Sequence, residues 1–225
     1  MLDVHRISAS EAKPWILERH YAKRMPPIEH AFGAFMRGMC CGIVTYGTPS
    51  SATLREGVCG TEYSHLVLEL NRLCCHSVKN LASTLVGQSL NQLPKPSIVV
   101  SYADTAQGHV GYVYQATNWI YTGLSAKRTD WHVDGMDLHG QTIADMSRGK
   151  PDRAKWMRDK FGDRFSLVDR PRKHRYIYFT GNKRERRNML KALRYQIEQY
   201  PKGESHRYDT EQPIETQSIL NLDNA

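Results

Sequence analysis

The sequence predicts an α/β protein, a mixed central sheet flanked by helices, and two observations carry that prediction. Helical and strand-like hydrophobic patterns alternate along residues 8–123. Within them, the uninterrupted apolar run Ile98-Val99-Val100 reads as a buried strand.

The elements follow in order. Ser8 or Ser10 caps a helix that runs through Tyr21, with Glu11 favouring its first-turn dipole and Trp15, Ile16 and Leu17 supplying apolar contacts. Pro14 is tolerable only near that start. Residues 31–36 and 40–46 flank Arg37, Gly38 and Met39 as a hairpin. Residues 48–64, rich in Gly, Ser and Thr, predict a mobile loop. A strand over 66–74 and a helix over 80–93 come next, and Pro94 and Pro96 end that helix before the Ile98 strand.

That strand ends in Ser101, Tyr102 and Asp104, at the carboxyl edge of a sheet, where ligand sites concentrate. After it come Gly108, His109 and Gly111, then a helical pattern with Tyr114, Ala116, Asn118 and Trp119, and Tyr121 before a stop at Gly123. Further on, Asp134-Gly135 predicts a hairpin turn between 131–133 and 136–138, a lid or an added strand.

At 225 residues and 40% apolar content the chain buries one sizeable core. The expected division is a catalytic core at 1–147, a basic part of the same domain at 148–208 and a disordered tail at 209–225. No apolar run approaches the roughly 20 residues of a membrane span, and residues 1–15 lack the apolar core of a signal peptide, so a soluble, cytoplasmic protein is expected. Five cysteines, none in a C-x-x-C pair, predict reduced thiols. Cys40-Cys41 and Cys74-Cys75 are adjacent strand residues facing opposite ways, which suits core packing over chelation; Cys59 reads as a loop residue.

Charge is concentrated. Residues 148–194 hold 17 Lys and Arg against 5 Asp and Glu, a net of +12, while the whole chain is +8, so the remainder sums to −4. A charge run is often only a solvated face, but this one is interleaved with Trp156, Phe161, Tyr176, Tyr178 and Tyr195. It predicts a polyanion partner, with Lys173, Arg175, Lys183, Arg184, Arg186 and Arg187 as nucleic-acid contacts.

Residues 101–123, together with His20-Tyr21, Glu69-Leu70-Asn71-Arg72-Leu73, Lys79-Asn80-Leu81-Ala82-Ser83 and Tyr200-Pro201-Lys202-Gly203, closely resemble the Mom family of bacteriophage DNA-modification proteins, over roughly residues 15–208. The resemblance implies a GNAT-like acyltransferase fold. It also implies an activity: conversion of adenine in duplex DNA to carbamoylmethyl (glycinamide) adenine, which blocks host restriction. Ordinary GNAT proteins bind the pyrophosphate of coenzyme A with a glycine-rich turn; here Lys79-Asn80-Leu81-Ala82-Ser83 stands instead, with Asn80 or Ser77 as helix cap and Asn80 and Ser83 as donor contacts. The acyl donor is then acetyl-CoA or an aminoacyl-tRNA, and glycyl-tRNA matches the two-carbon, amine-bearing product.

Candidate residues carry competing readings. Asp104 is a base that takes the amine proton, or a turn cap. Tyr112 and Tyr114 face differently, so one at most points into a site; the resemblance favours Tyr114 as general acid or oxyanion holder, against a core tyrosine. His20 and Tyr21 are functional by the same resemblance, His20 as proton acceptor or metal ligand rather than a helix-end cap. Arg72 holds a donor carboxylate or phosphate, or pairs with Glu69. His109 is a metal ligand beside Asp104, or a solvent-facing turn residue. Iron, with His20, Asp104 and His109 as ligands, is implied by the resemblance alone. A flipped adenine would stack on Tyr46, Trp119 or Tyr121. Expected partners are double-stranded DNA and, for a glycyl donor, tRNA; a homodimer is allowed and a membrane is not. The competing functions are a non-enzymatic DNA-binding protein with a degenerate core and an acetyltransferase acting on proteins.

Overall fold

A computed structural model describes residues 2–138 and 140–203. The tail expected at 209–225 lies outside the described residues. The chain forms two compact units.

The larger unit comprises residues 1–103, 109–123 and 174–225. Its sheet opens with β1 (Leu2–Ile7), an edge strand not expected from the sequence because only Val4 in it is buried. Ser8 caps α1 (Ala9–Pro14), with Glu11 completing a reciprocal capping box. The helix does not run to Tyr21 in α form. It widens into a π turn, Trp15–Arg19, and stops where the His20 amide bonds back to the Trp15 carbonyl. Such widened turns recur at functional sites.

The hairpin forms as expected from β2 (His30–Met36) and β3 (Met39–Gly47), with Arg37 and Gly38 both at positive φ in the tight turn. The loop expected over 48–64 is instead structured: Ser51 caps α2 (Ala52–Cys59), and a 3-10 turn, Thr61–Leu66, leads into β4 (Val67–Cys75). Cys59 is therefore a buried helix residue, not a loop one. Polar composition concealed a helix that buries only Val58 and Cys59.

After α3 (Leu81–Gln92) and β5 (Ile98–Asp104), α4 (Tyr112–Ala116) is shorter than expected. Asn118 turns to positive φ, and Trp119 and Tyr121 belong to a turn and to β6 (Ile120–Leu124) instead of the helix. Strand β9 (Lys173–Phe179) and helix α7 (Lys183–Ala192) complete this unit.

The sheet order is β1-β2-β3-β4-β5-β9-β6. Neighbours from β1 to β4 are antiparallel, but β4 and β5 run parallel, and their register ends at Leu70↔Ser101. With that pair the ladder between the two strands ends. One core cluster, including Leu85, Val99, Tyr114 and Trp119, lies under α3 and α4; another, including Val100, Ile177 and Met189, lies under α2 and α7.

The smaller unit comprises 104–108 and 124–173. Its β7 (Arg128–Val133) pairs antiparallel with β8 (Phe165–Arg170), so the turn at Asp134-Gly135 does not return a strand over 136–138. Helices α5 (Gly140–Asp145) and α6 (Arg153–Phe161) pack Ile143 and Met157 against Val133 and Phe165. The basic third is divided between the units, with 148–173 in this one. All five cysteines are free thiols.

Candidate active site

Ser101 closes the parallel ladder, and its side chain is the hinge of the site. Its hydroxyl lies 2.9 Å from the Leu70 carbonyl and 2.8 Å from the Tyr114 hydroxyl. A serine has one proton and the carbonyl has none, so both bonds are made together only when Tyr114 donates to Ser101 and Ser101 to Leu70. If the phenol gives up its proton, Ser101 can turn its own toward the phenolate.

Tyr114 is 8% exposed whereas Tyr112 is 57% exposed, so one tyrosine of the pair faces inward, as the helical spacing requires. Burial pushes the Tyr114 phenol up to about 12, with the Ser101 bond opposing. Its ring lies 5.1 Å from Trp119 and 5.1 Å from Tyr176, and Tyr176 in turn lies 5.1 Å from Tyr121, whose hydroxyl is 2.8 Å from His174 Nδ1. The C-terminal segment braces this array: Tyr200 donates to the Trp119 carbonyl at 2.6 Å, and Gln115 reaches the Pro201 carbonyl at 3.2 Å.

His20 and Tyr21 sit at the exit of the π turn. His20 is buried, its Nδ1 accepts from the Ala22 amide at 3.1 Å, and Tyr21, 45% exposed, stacks on it at 4.4 Å. Ionised Tyr21 or Glu69 would raise the pKa of both Tyr114 and Arg72. Arg72 donates to the Asn71 and Arg24 carbonyls at 2.6 and 2.8 Å, and its buried Nε lacks a hydrogen-bond partner among the described residues. Burial lowers its pKa, with Tyr21 and Glu69 opposing. The guanidinium thus clamps the 20–28 loop to β4 and keeps one donor in reserve.

Other expectations change. Asn80 stands at the N-terminus of α3 but in the left-handed region at φ 62, and no side chain caps that helix; the Ser83 hydroxyl donates to the Asn80 carbonyl at 3.1 Å. Tyr46, Trp119 and Tyr121 are at most 5% exposed, and the Tyr46 hydroxyl is bonded to Ser89 at 2.6 Å, so none offers a face for a flipped base. Tyr21 does. In the smaller unit, Asp104 accepts from the Ala106 amide at 3.0 Å and pairs with Lys173 at 2.7 Å. Lys173 is therefore ion-paired. His109 is half-buried between two glycines at positive φ. Among the described residues no three His, Cys, Asp or Glu side chains gather to hold a metal.

Of the basic candidates, Lys183, Arg184, Arg186 and Arg187 are exposed on α7. Arg175 is not free: it donates twice to Thr122, at 2.9 Å each, and lies 3.4 Å over the Tyr195 ring. The partnership of Ser101 with Tyr114 and the bracing by Tyr176 and His174 were missed by the sequence reading, since nothing local marks them.

The strand order, the parallel β4–β5 pair and the helices on the sheet define a mixed α/β fold, with an inward tyrosine on α4. The structure is similar to a GNAT-family acetyltransferase from Bacillus cereus (TM-score 0.41, 13% identity, 81% of this chain and 99% of that one). It is likewise similar to the ribosomal-protein-S18-alanine N-acetyltransferase of Escherichia coli (TM-score 0.44, 7% identity, 81% and 96%). Residues 1–202 match the model of the Mom protein family, and the chain is 30% identical over 211 residues, 89% of its length and 84% of the relative's, to the methylcarbamoylase Mom of Escherichia phage Mu. The chain belongs to the Mom protein family.

Proposed function

We propose that this protein is a DNA-modifying transferase that acts on the exocyclic amine of adenine in duplex DNA and transfers a two-carbon, amine-bearing acyl group to it, of the same composition as a carbamoylmethyl group, protecting phage DNA from restriction. One observation carries the reading: in a member of a family that includes a methylcarbamoylase, a buried tyrosine hydroxyl sits where the parallel ladder of β4 and β5 ends. Adenine leaves the stack to react. Tyr21, exposed beside Tyr114 and Arg72, offers it a ring.

The amine nitrogen attacks the donor carbonyl carbon and the bond from that carbon to the leaving oxygen or sulfur breaks. Tyr114 protonates the leaving atom, and Ser101 turns its proton to the phenolate. The proton lost by the amine passes to a general base, for which Asp104 is the candidate that the sequence offers. Arg72, with its free Nε, holds the donor, and an aminoacyl ester such as glycyl-tRNA suits a chain without the pyrophosphate turn better than acetyl-CoA does. Glycyl transfer yields an isomer of the carbamoylmethyl group, so product mass alone is insufficient and connectivity must be read.

The test is to express the chain in bacteria, digest the DNA to nucleosides and fragment any new deoxyadenosine species by mass spectrometry. An adduct of glycinamide mass whose fragments place the carbonyl carbon on the adenine nitrogen, present with wild type and strongly reduced with Tyr114→Phe, supports the proposal. Unmodified DNA from cells holding soluble protein overturns it.

A further inference from the structure

We infer that a cleft between α7 and the β9–β6 edge is a second nucleic-acid site, one that holds an unstacked nucleotide of single-stranded DNA. The choice of DNA as occupant rests on the function proposed above. The cleft has a volume of about 550 Å³, in the range of small-ligand sites. Its floor is apolar, with Ile120, Ile177 and Phe179, Tyr178 lies in its lining, and α7 directs Lys183, Arg186 and Arg187 into it.

These three cations, with Leu190 beyond them, stand at spacings of three, four and seven residues, so they form one helix face. No carboxylate lines the cleft, and none of the three forms a salt bridge among the described residues. Glu185, the acid on the helix, is turned away to accept from the Asn182 amide at 2.7 Å. Three like charges over an apolar floor repel one another and gain from a polyanion. A duplex backbone would need the cations but not the floor. An unpaired base needs both, stacking on an aromatic ring while its phosphates meet the basic rim. Asn118, exposed at φ 59 on the rim, carries both a donor and an acceptor for a base edge.

Most of the cleft lies on the α7 side of the sheet, although Tyr178 in its lining packs on Trp119, the neighbour of Tyr114. Ile177 and Phe179 belong to the core under α7, whereas Tyr114 belongs to the core under α3. It would anchor a strand next to the nucleotide being modified.

Arg184 supplies the control, because it sits on the same helix with the same charge but does not line the cleft. Fluorescence anisotropy with a labelled single-stranded deoxyoligonucleotide, its duplex and the matching RNA should show wild type favouring single-stranded DNA. Arg187→Glu should weaken that binding about tenfold, against about twofold or less for Arg184→Glu. Leu190→Gln, an uncharged change at an exposed position of the cleft, should weaken the single strand more than the duplex, and Ile120→Thr tests the floor itself. Equal losses for Arg184→Glu and Arg187→Glu, or preference for duplex or RNA, overturn the inference. Single-strand binding with these effects but no modified adenine would sink the function and leave the cleft standing. Modified adenine with an indifferent Arg187→Glu would do the reverse.

Discussion

The side-chain amide of Asn71 donates to the carbonyl of Pro27 at 2.7 Å. Asn71 can reach it because β4 bulges there: Arg72 pairs with Thr45 and Leu70 with Tyr46, leaving Asn71 without a cross-strand partner. Its carbonyl oxygen meanwhile accepts from the Thr45 hydroxyl at 2.6 Å. With Arg72 holding the Arg24 carbonyl, one turn of β4 fastens the loop that follows His20 and Tyr21.

Asn71→Asp replaces the donor by an acceptor facing a carbonyl. Stability to urea should fall by about 1–2 kcal/mol, and modification should fall further than stability does, because Tyr21 loses its placement. Unchanged activity would separate the loop from the chemistry.

Gly47 lies against the same loop so closely that an added Cβ would meet the Pro27 carbonyl. Gly47→Ala should therefore cost about 1–3 kcal/mol and expose Lys23 and Arg24 to trypsin. Digestion at the wild-type rate would show that the loop absorbs the methyl group without moving.

Tyr114→Phe should lower modification by a factor on the order of 10² while leaving DNA binding in place. Ser101→Ala should lower it less, and Ser101→Thr should restore it. Loss of binding together with activity in Tyr114→Phe would return Tyr114 to the role of core tyrosine.

The same phenol gives a pH dependence of stability. Burial raises Tyr114 and Tyr176 from 10.0 to about 12, so between those values the folded chain keeps protons that the unfolded chain has released. Their contribution is complete below pH 10 and is lost as pH rises toward 12. Urea midpoints measured across that window should fall more steeply for wild type than for Tyr114→Phe; parallel curves would mean that the phenol ionises without penalty.

Asp104→Asn keeps an oxygen to accept from Ala106 and removes the charge that pairs with Lys173. Modification should be abolished with duplex binding nearly intact. Retained activity would make Asp104 a turn and ion-pair residue.

Local pattern carries far in this chain. The hairpin turn at Arg37-Gly38, the strands β4 and β5, the capped first helix and the opposite facing of Tyr112 and Tyr114 were all legible, because each depends on spacing over a few residues, while the choice of Tyr114 came from the family resemblance. Where burial was sparse, legibility failed: β1 buries one residue and α2 two, too few to print a period. The shortened α4 was hidden because Asn118 ends it by a backbone twist that composition does not reveal.

By itself, then, the sequence determined the α/β class, the family likeness and the basic third, properties written in periodicity, motif and charge. Only the tertiary structure decided which of the many polar and aromatic groups meet. Ser101 and Tyr114 are 13 residues apart, Asn71 and Pro27 44, Asn118 and Arg187 far more, and their encounters depend on sheet order and strand register. It also reassigned side chains that looked available: Tyr46 and Trp119 are core and Arg175 is a brace, because burial and hydrogen-bond satisfaction are properties of the packed chain.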